Sequence, residues 1–258
     1  RDLHSFPTRR SSDLDYADYL EAPDHAAFAI APGGAWGWVS GQLSLETARE
    51  GALAACQANT SQRCVLYGED GQVVFDAKGW PHLWGPYASA ADAARVMVGR
   101  QRGQRLADLA FADAGGKGHK LSDYLGKVVV LHFWGAWCPP CRREMPDLQK
   151  LHDALEGRRD VVFLPLQVRE KFDASRRWAA AQGLRLSLYD SGSSGDMDTE
   201  LHLAGGRAVA DRDIASRFPT TYVLDKRGVI VFVHVGPVYD WPQYEPFLRD
   251  VAERSAAK

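Results

Sequence analysis

One apolar segment constrains the fold of this chain more than any other. Residues 128–134 read VVVLHFW, and apolar, largely β-branched side chains occupy both alternating sets of positions. Such a strand is covered on both faces, which favours a central strand of a sheet. The next residues predict a helix to about Glu156, and residues 161–168 predict a second buried strand. Strands that alternate with helices are typical of an α/β fold, here ending in an antiparallel hairpin of residues 220–224 and 229–235.

Two cysteines lie where this strand gives way to the helix, in the sequence Cys138-Pro139-Pro140-Cys141. A helix N-terminus carries about half a positive charge and free N–H groups, which stabilise a thiolate. The thiolate is the species that attacks a disulfide. We therefore expect Cys138 to be an exposed nucleophile and Cys141 to be a buried resolving thiol. The prolines are tolerated because N–H groups in a first helical turn have no helical partner.

Spacing alone leaves two other uses of this pair open, namely half of a zinc or iron–sulfur site, or a purely structural disulfide. Structural zinc needs four ligands, commonly from two C-x-x-C pairs. The chain has four cysteines, and the other two, Cys56 and Cys64, fall in a different predicted domain. A strand, a C-x-x-C motif and a helix in that order are the expected redox context. We therefore predict a dithiol–disulfide couple that uses no metal and no other cofactor.

Pattern changes divide the chain into a small α+β domain (25–85), a helix and polar linker (86–103) and a redox domain (104–258). Within the small domain we predict a structural disulfide between Cys56 and Cys64, the alternative being two buried free thiols. A bridge there would place the protein in an oxidising compartment. Four tryptophans of this region favour core packing over a ligand-binding aromatic surface. They are Trp36, Trp38, Trp80 and Trp84.

The first residues have an unusual sequence. Residues 1–14 read RDLHSFPTRRSSDL and show no helical or strand period and no apolar signal-peptide region. The string resembles the conceptual translation of a sequencing adapter, so we expect it to be non-native; a disordered basic tail is the alternative. Residues 15–24 are then expected to be a short polar stub of a truncated segment. On this interpretation any signal peptide or membrane anchor would be missing from the sequence.

Composition excludes several classes of protein. The chain has 258 residues, of which 45% are hydrophobic and 25% charged, and a net charge of −2. These values are typical of globular domains and exclude collagen and wholesale disorder. Near-neutral charge gives no sign of a nucleic-acid partner. The longest apolar stretch, residues 128–137, is too short to span a bilayer.

Three segments resemble the TlpA/ResA-like thiol–disulfide oxidoreductases over about residues 104–256. They are residues 106–134, the motif LHFWGAWCPPCRREMP (131–146) and FPTTYVLD (218–225). The resemblance implies a thioredoxin-like fold, with a central mixed sheet flanked by helices. It also implies a reductase of disulfides in exported bacterial proteins, in the periplasm or another extracytoplasmic compartment. Protein thiols or disulfides would be the substrates, and an upstream redox partner would recycle the dithiol.

The resemblance also implies roles for individual residues. Pro219 should follow a cis peptide bond, lie against the cysteine pair and let the backbone of Phe218 pair with an extended substrate. Glu144 should relay a proton to the leaving sulfur, unless it is a solvated helix residue. His132, where the family frequently has asparagine, is either a proton acceptor or a satisfied core histidine. The expected substrate contacts are Trp137, Pro139, Phe218, Pro219 and Thr220.

Two rival functions remain. A peroxidase of the peroxiredoxin kind shares the fold, but it needs threonine or serine three residues before its reactive cysteine, where this chain has Gly135. A non-catalytic binding or scaffold protein is the second rival, and the intact CPPC motif argues against it. The sequence does not give the direction of exchange, since that depends on the reduction potential. Residues 191–207 are rich in Gly, Ser and Asp and predict a loop.

Overall fold

The computed structural model describes residues 11–32, 35–60, 62–76, 79–85, 87–195, 199–238 and 240–255. The chain divides after residue 86 into two compact units. The predicted linker, residues 86–103, therefore lies almost entirely in the second unit. No helix within the described ranges is both long enough and apolar enough to cross a membrane.

The first unit is an antiparallel sheet of strand order β2-β1-β3-β4 with a helix packed on it. Helix α2 begins after Ser44, whose hydroxyl accepts a hydrogen bond from the Thr47 N–H at 3.2 Å, as expected of an N-cap. A Cβ atom at Gly37 would overlap the backbone at Cys56, so glycine lets this helix approach the sheet closely. The elements are α1 (Ser11–Leu20), β1 (Ala27–Ile30), β2 (Trp36–Val39), α2 (Leu45–Gln57), β3 (Val65–Glu69) and β4 (Gln72–Val73).

Helix α1 differs from the sequence prediction. It begins at Ser11, so the last four residues of the segment 1–14 are helical; residues 1–10 of that segment lie outside the described residues. Residues 15–20, expected to belong to a short polar stub, form the rest of this helix. Tyr16 and Tyr19, three positions apart on one helical face, are buried against the aromatic core of the unit. The Tyr19 hydroxyl accepts a hydrogen bond from the Gly71 N–H at 3.1 Å.

A disulfide and an aromatic core hold this unit together. Cys56, on α2, is bonded to Cys64, which precedes β3, with their Cα atoms 6.2 Å apart. Both cysteines lie in a cluster of buried alanines between the helix and the sheet. The four tryptophans pack within the unit. Trp36, Trp38 and Trp80 lie partly buried against the aromatic core, and Trp84 is buried.

The second unit is built on a mixed sheet of order β11-β10-β5-β9-β8-β7-β12-β13, with β6 beside β5. Its strands are β5 (Leu109–Ala112), β6 (Gly118–Lys120), β7 (Val128–Trp134), β8 (Val161–Gln167), β9 (Tyr189–Asp190), β10 (Glu200–Leu203), β11 (Ala208–Ala210), β12 (Thr220–Leu224) and β13 (Ile230–Val235). Its helices are α3 (Ala90–Ala93), α4 (Pro139–Ala154), α5 (Phe172–Ala181), α6 (Asp211–Ile214) and α7 (Glu245–Arg254).

The centre of this sheet matches the prediction from the apolar runs. Every residue of β7 is buried. The strand pairs in parallel with β8 and antiparallel with β12, which forms a hairpin with β13. This arrangement confirms the predicted α/β, thioredoxin-like fold and places the C-terminal end of β7 at the start of α4.

Two segments depart from prediction. The helix predicted within residues 86–103 is reduced to the four residues of α3, because residue 98 instead forms a bridge with Arg105. The predicted loop of residues 191–207 contains β10, which pairs with both β5 and β11. The strand is hard to see in the sequence because it is short, its Leu201 and Leu203 alternate with Glu200 and His202, and the residues around it are rich in glycine.

Candidate active site

The cysteine pair begins helix α4. Cys138 is the N-cap residue and forms a disulfide with Cys141 in the first turn, with Cα atoms 5.3 Å apart. The Cys141 N–H donates a hydrogen bond to Cys138 Sγ at 3.3 Å. This N–H would stabilise a thiolate on Cys138 after reduction, since anions are favoured at helix N-termini.

The expected difference in exposure between the two cysteines is wrong for the disulfide form. Cys138 is 3% exposed and Cys141 is fully buried. The sulfur of Cys138 faces the first turn of the helix rather than solvent, because it caps that turn. The exposed neighbours are Trp137, 44% accessible, and Pro139.

The loop before β12 lies against the cysteine motif. The Phe218–Pro219 peptide bond is cis, and the ring of Phe218 meets that of Trp137 edge-on with centroids 5.8 Å apart. Thr220 is fully buried, and its hydroxyl donates a hydrogen bond to the Arg217 carbonyl at 2.6 Å. Thr220, one of the expected substrate contacts, therefore points into the unit, and its side chain anchors the loop instead of facing a substrate.

Two buried polar side chains lie behind the disulfide. Glu144, one turn after Cys141 on α4, accepts a hydrogen bond at Oε2 from the Val238 N–H at 2.7 Å. Its Oε1 lies 3.3 Å from Nε2 of His132 on β7. The other ring nitrogen, Nδ1, is 2.8 Å from the hydroxyl oxygen of Thr221. Glu144 is therefore buried within the unit rather than solvated, and His132 is held between two elements.

Burial sets the protonation of this pair. Desolvation raises the pKa of Glu144 from 4.5 to about 8, opposed by the Val238 N–H and by the nearby indole of Trp241. Desolvation also lowers the pKa of His132 from 6.5 to about 3. Near neutral pH the pair is thus a carboxylic acid facing a neutral imidazole, because a low-dielectric site disfavours both charges. Among the described residues neither Oε1 nor Nε2 has a hydrogen-bond partner, and an imidazolium is disfavoured in this site.

Several residues around the site were not singled out from the sequence. Thr221 faces His132 only because the antiparallel register of β12 and β7 sets them opposite each other. Glu170 accepts hydrogen bonds from the Ala136 N–H and the Ser175 hydroxyl, and so fixes the loop before the cysteines. No local pattern marks these residues, since each partner lies on a different element. Among the described residues no group of three or more His, Cys, Asp or Glu side chains is arranged to hold a metal ion.

A Cβ atom at Gly135 would overlap Nε1 of Trp137. The indole N–H is committed to the Val168 carbonyl at 2.9 Å. The position that a peroxiredoxin-like site fills with threonine or serine therefore has no room for a side chain in this arrangement.

The chain is similar to two curated bacterial proteins. It is 34% identical over 139 residues to the thioredoxin-like protein YneN of Bacillus subtilis, covering 54% of this chain and 74% of that protein. It is 30% identical over 134 residues to the thiol–disulfide oxidoreductase ResA of Geobacillus thermodenitrificans, covering 52% of this chain and 69% of that protein. These matches confirm the resemblance predicted from the cysteine motif and the segments around it.

Among solved structures, a secreted thiol–disulfide isomerase from Corynebacterium glutamicum aligns with 65% of this chain and 92% of its own. The sequence identity is 28% and the TM-score is 0.46. A family model also matches residues 102–233, which carry the cysteine motif and most of the central sheet. The chain belongs to the AhpC/TSA family.

Proposed function

We propose that this chain is a thiol–disulfide oxidoreductase that reduces disulfides in exported proteins. The observation that carries the proposal is the Cys138–Cys141 disulfide at the N-terminus of α4, beside the cis Phe218–Pro219 bond. A helix N-terminus favours thiolate, and an extended peptide can pair with the backbone of the neighbouring loop.

The reaction starts from the reduced dithiol. The Cys138 thiolate attacks one sulfur of a substrate disulfide, and the other substrate sulfur leaves as a thiol after taking up a proton. The Cys141 thiolate then attacks Cys138 Sγ in the mixed disulfide and releases the second substrate thiol. Two electrons and two protons pass to the substrate, and the Cys138–Cys141 disulfide remains. An upstream redox partner must supply two electrons before the next turnover.

Glu144 and His132 are proposed to manage the protons. Residues three apart on a helix share one face, so Glu144 lies on the side of α4 that carries Cys141. As a carboxylic acid at neutral pH it can protonate a leaving sulfur. The ring of His132 stays neutral if it takes up a proton at one nitrogen while it releases one from the other, and it could relay a proton to Oε1 in this way. Thr221 acts as a positioning residue, because its hydroxyl fixes the orientation of the ring. A thiol titration unchanged in Glu144→Gln would contradict this role.

An oxidising, extracytoplasmic compartment such as the periplasm fits the cysteine chemistry. All four cysteines of the chain are paired in disulfides, and structural disulfides persist in oxidising compartments. The substrates would be protein thiols and disulfides. The relative ResA is named a thiol–disulfide oxidoreductase, which supports the same chemistry here.

Insulin reduction tests the activity. The wild type should reduce insulin disulfides in the presence of dithiothreitol, and Cys138→Ser should abolish this. The double substitution of Cys56 and Cys64 by serine is the matched control, since it also removes a disulfide but leaves the CPPC motif. Activity that survives Cys138→Ser, or a wild type with none, would refute the mechanism; the latter result would favour a scaffold role. A reduction potential near or below about −270 mV would indicate a reductase.

The family match gives a peroxidase as the second candidate, since the matched family is named for AhpC and TSA. The lack of room at Gly135 argues against it. Stoichiometric consumption of hydrogen peroxide by the reduced protein, lost in Cys138→Ser, would favour the peroxidase over the disulfide reductase.

A further inference from the structure

A groove of about 490 Å³ opens beside the cysteine motif on the second unit. This volume is within the range of about 300–1,000 Å³ typical of ligand pockets. We call it the Trp137 groove. Its polar and aromatic lining comes from Trp137, Arg169, Glu170, Lys171, Arg177 and Ser194.

Two of the four charged side chains in the lining are committed to other contacts. Arg169 is buried and forms a bidentate ion pair with Asp211, with N–O distances of 2.5 and 2.7 Å. Glu170 is half-buried and directs Oε1 to the Ala136 N–H and the Ser175 hydroxyl. The charge of Glu170 remains in the groove, but one of its oxygens is turned away from an incoming ligand.

The other two charged side chains are cations that face solvent. Lys171 and Arg177 are exposed, and within the described residues neither side chain forms an ion pair or hydrogen bond. Exposed, uncompensated cations at the rim of a groove attract anionic groups and raise their local concentration. The groove thus has two free cations against the one carboxylate of Glu170.

The aromatic wall joins this groove to the cis-proline loop. The Trp137 indole is held by its hydrogen bond to the Val168 carbonyl and packs edge-on against Phe218. The guanidinium of Arg169 lies over the ring of Phe218, 5.1 Å from its centroid. A peptide that pairs with the Phe218 backbone would therefore carry its flanking residues past Trp137 to the cations.

We propose that the Trp137 groove binds acidic residues flanking the reactive cysteine of the protein substrate, through Lys171 and Arg177. This rests on the proposed function, because the cysteine must first be presented to Cys138. The groove then selects among exposed disulfides by the charge of the neighbouring sequence. Trp137 supplies apolar contact, and the two cations supply the preference for Asp and Glu.

Peptide mixed disulfides test this preference. Three peptides carry one cysteine each, flanked by three Asp, three Asn or three Lys residues, and each cysteine is bonded to 5-thio-2-nitrobenzoate. Cys138 of the pre-reduced protein attacks the peptide sulfur and releases the coloured thiolate, which is the same leaving group in every case. Cys141 then attacks Cys138 Sγ and releases the peptide thiol, so two electrons pass from the protein to the mixed disulfide and the Cys138–Cys141 disulfide forms.

In the wild type at low salt we expect the Asp peptide to react about five- to tenfold faster than the Asn peptide, as two exposed ion pairs allow, and the Lys peptide to react more slowly. The Asp-to-Asn ratio should fall towards one in the double variant of Lys171→Gln and Arg177→Gln, and at high salt. Arg176→Gln is the matched control: it removes a charge from the same helix outside the groove and should keep the ratio.

The outcomes separate this inference from the proposed function. Equal rates for the Asp and Asn peptides in the wild type would refute the acidic preference while leaving the reductase intact. A ratio that survives in the double variant, or falls equally in Arg176→Gln, would refute the groove as its source. Failure to react with any of the peptides would instead refute the oxidoreductase function itself.

Discussion

Replacement of Glu144 by glutamine should change how the stability of the oxidised protein depends on pH. In the folded protein the pKa of Glu144 is raised from 4.5 to about 8. The folded state therefore holds more protons than the unfolded chain between these values, so the stability contribution is complete below pH 4.5 and is lost as pH rises towards 8. Each pKa unit corresponds to about 1.4 kcal/mol, which gives an order of about 5 kcal/mol over the whole interval.

His132 contributes to the stability of the folded protein with the opposite dependence on pH. Its folded pKa is lowered from 6.5 to about 3, so its contribution is complete above pH 6.5 and is lost as pH falls. Between pH 4.5 and 6.5 the two slopes cancel, and from pH 6.5 to 8 only that of Glu144 remains. The contribution of this pair to the free energy of unfolding of the wild type should therefore stay constant from pH 4.5 to 6.5 and then fall by about 2 kcal/mol up to pH 8. In Glu144→Gln only His132 contributes, so the free energy of unfolding should rise by nearly 3 kcal/mol from pH 4.5 to 6.5 and then stay level.

Urea unfolding of the oxidised protein, followed at half-unit pH intervals without reductant, measures both curves while the thiols cannot titrate. Glu156→Gln, which replaces an exposed glutamate just beyond the same helix, is the control and should follow the wild type. The difference between wild type and Glu144→Gln isolates the buried carboxyl from all other titrating groups. If that difference does not vary between pH 6.5 and 8, Glu144 is not protonated in the folded state and the reasoning is refuted.

Three further variants have defined outcomes. Asp211→Asn leaves Arg169 buried without its carboxylate partner and should cost about 3–5 kcal/mol in urea unfolding; a loss below about 1 kcal/mol would show that the pair is dispensable. Replacing Cys56 and Cys64 by alanine opens a loop with a sequence separation of 8 and should cost about 2–3 kcal/mol by thermal unfolding, with insulin reduction retained. Gly135→Thr should lower stability by about 1–3 kcal/mol, because its side chain overlaps the adjoining indole. It should not create peroxidase activity, and a stable variant that consumes peroxide would contradict both expectations.

Local patterns were enough to predict the centre of the redox unit. A strand buried on both faces is marked by a nearly continuous apolar run, and β7 shows one in the sequence, interrupted only by His132. The helix start is equally local, because Cys138 caps the turn that Cys141 occupies. The short helix α3 shows where this reasoning stops. Its Ser89 cap is a local signal, but its end depends on Arg105, whose N–H donates to the carbonyl of residue 97.

The proton-holding part of the site could not be predicted in this way, since it depends on register between distant segments. His132 and Thr221 are 89 positions apart and meet because β7 and β12 pair at that register. Val238 reaches Glu144 from beyond β13 and satisfies only one of its two oxygens. The other oxygen is left facing an imidazole in a dry site.

That dry site links the fold to the chemistry. A carboxylate one turn from Cys141 would repel the thiolates that reduction creates, whereas a carboxylic acid does not. Burial therefore removes a charge that would oppose reduction, and under the proposed mechanism it also keeps a proton available for the leaving sulfur. Glu144→Gln separates the two effects, because glutamine is uncharged like the carboxylic acid but has no acidic proton to donate. Above about pH 8 the carboxyl ionises, so the dithiol form should lose stability relative to the disulfide more steeply with pH in the wild type than in Glu144→Gln.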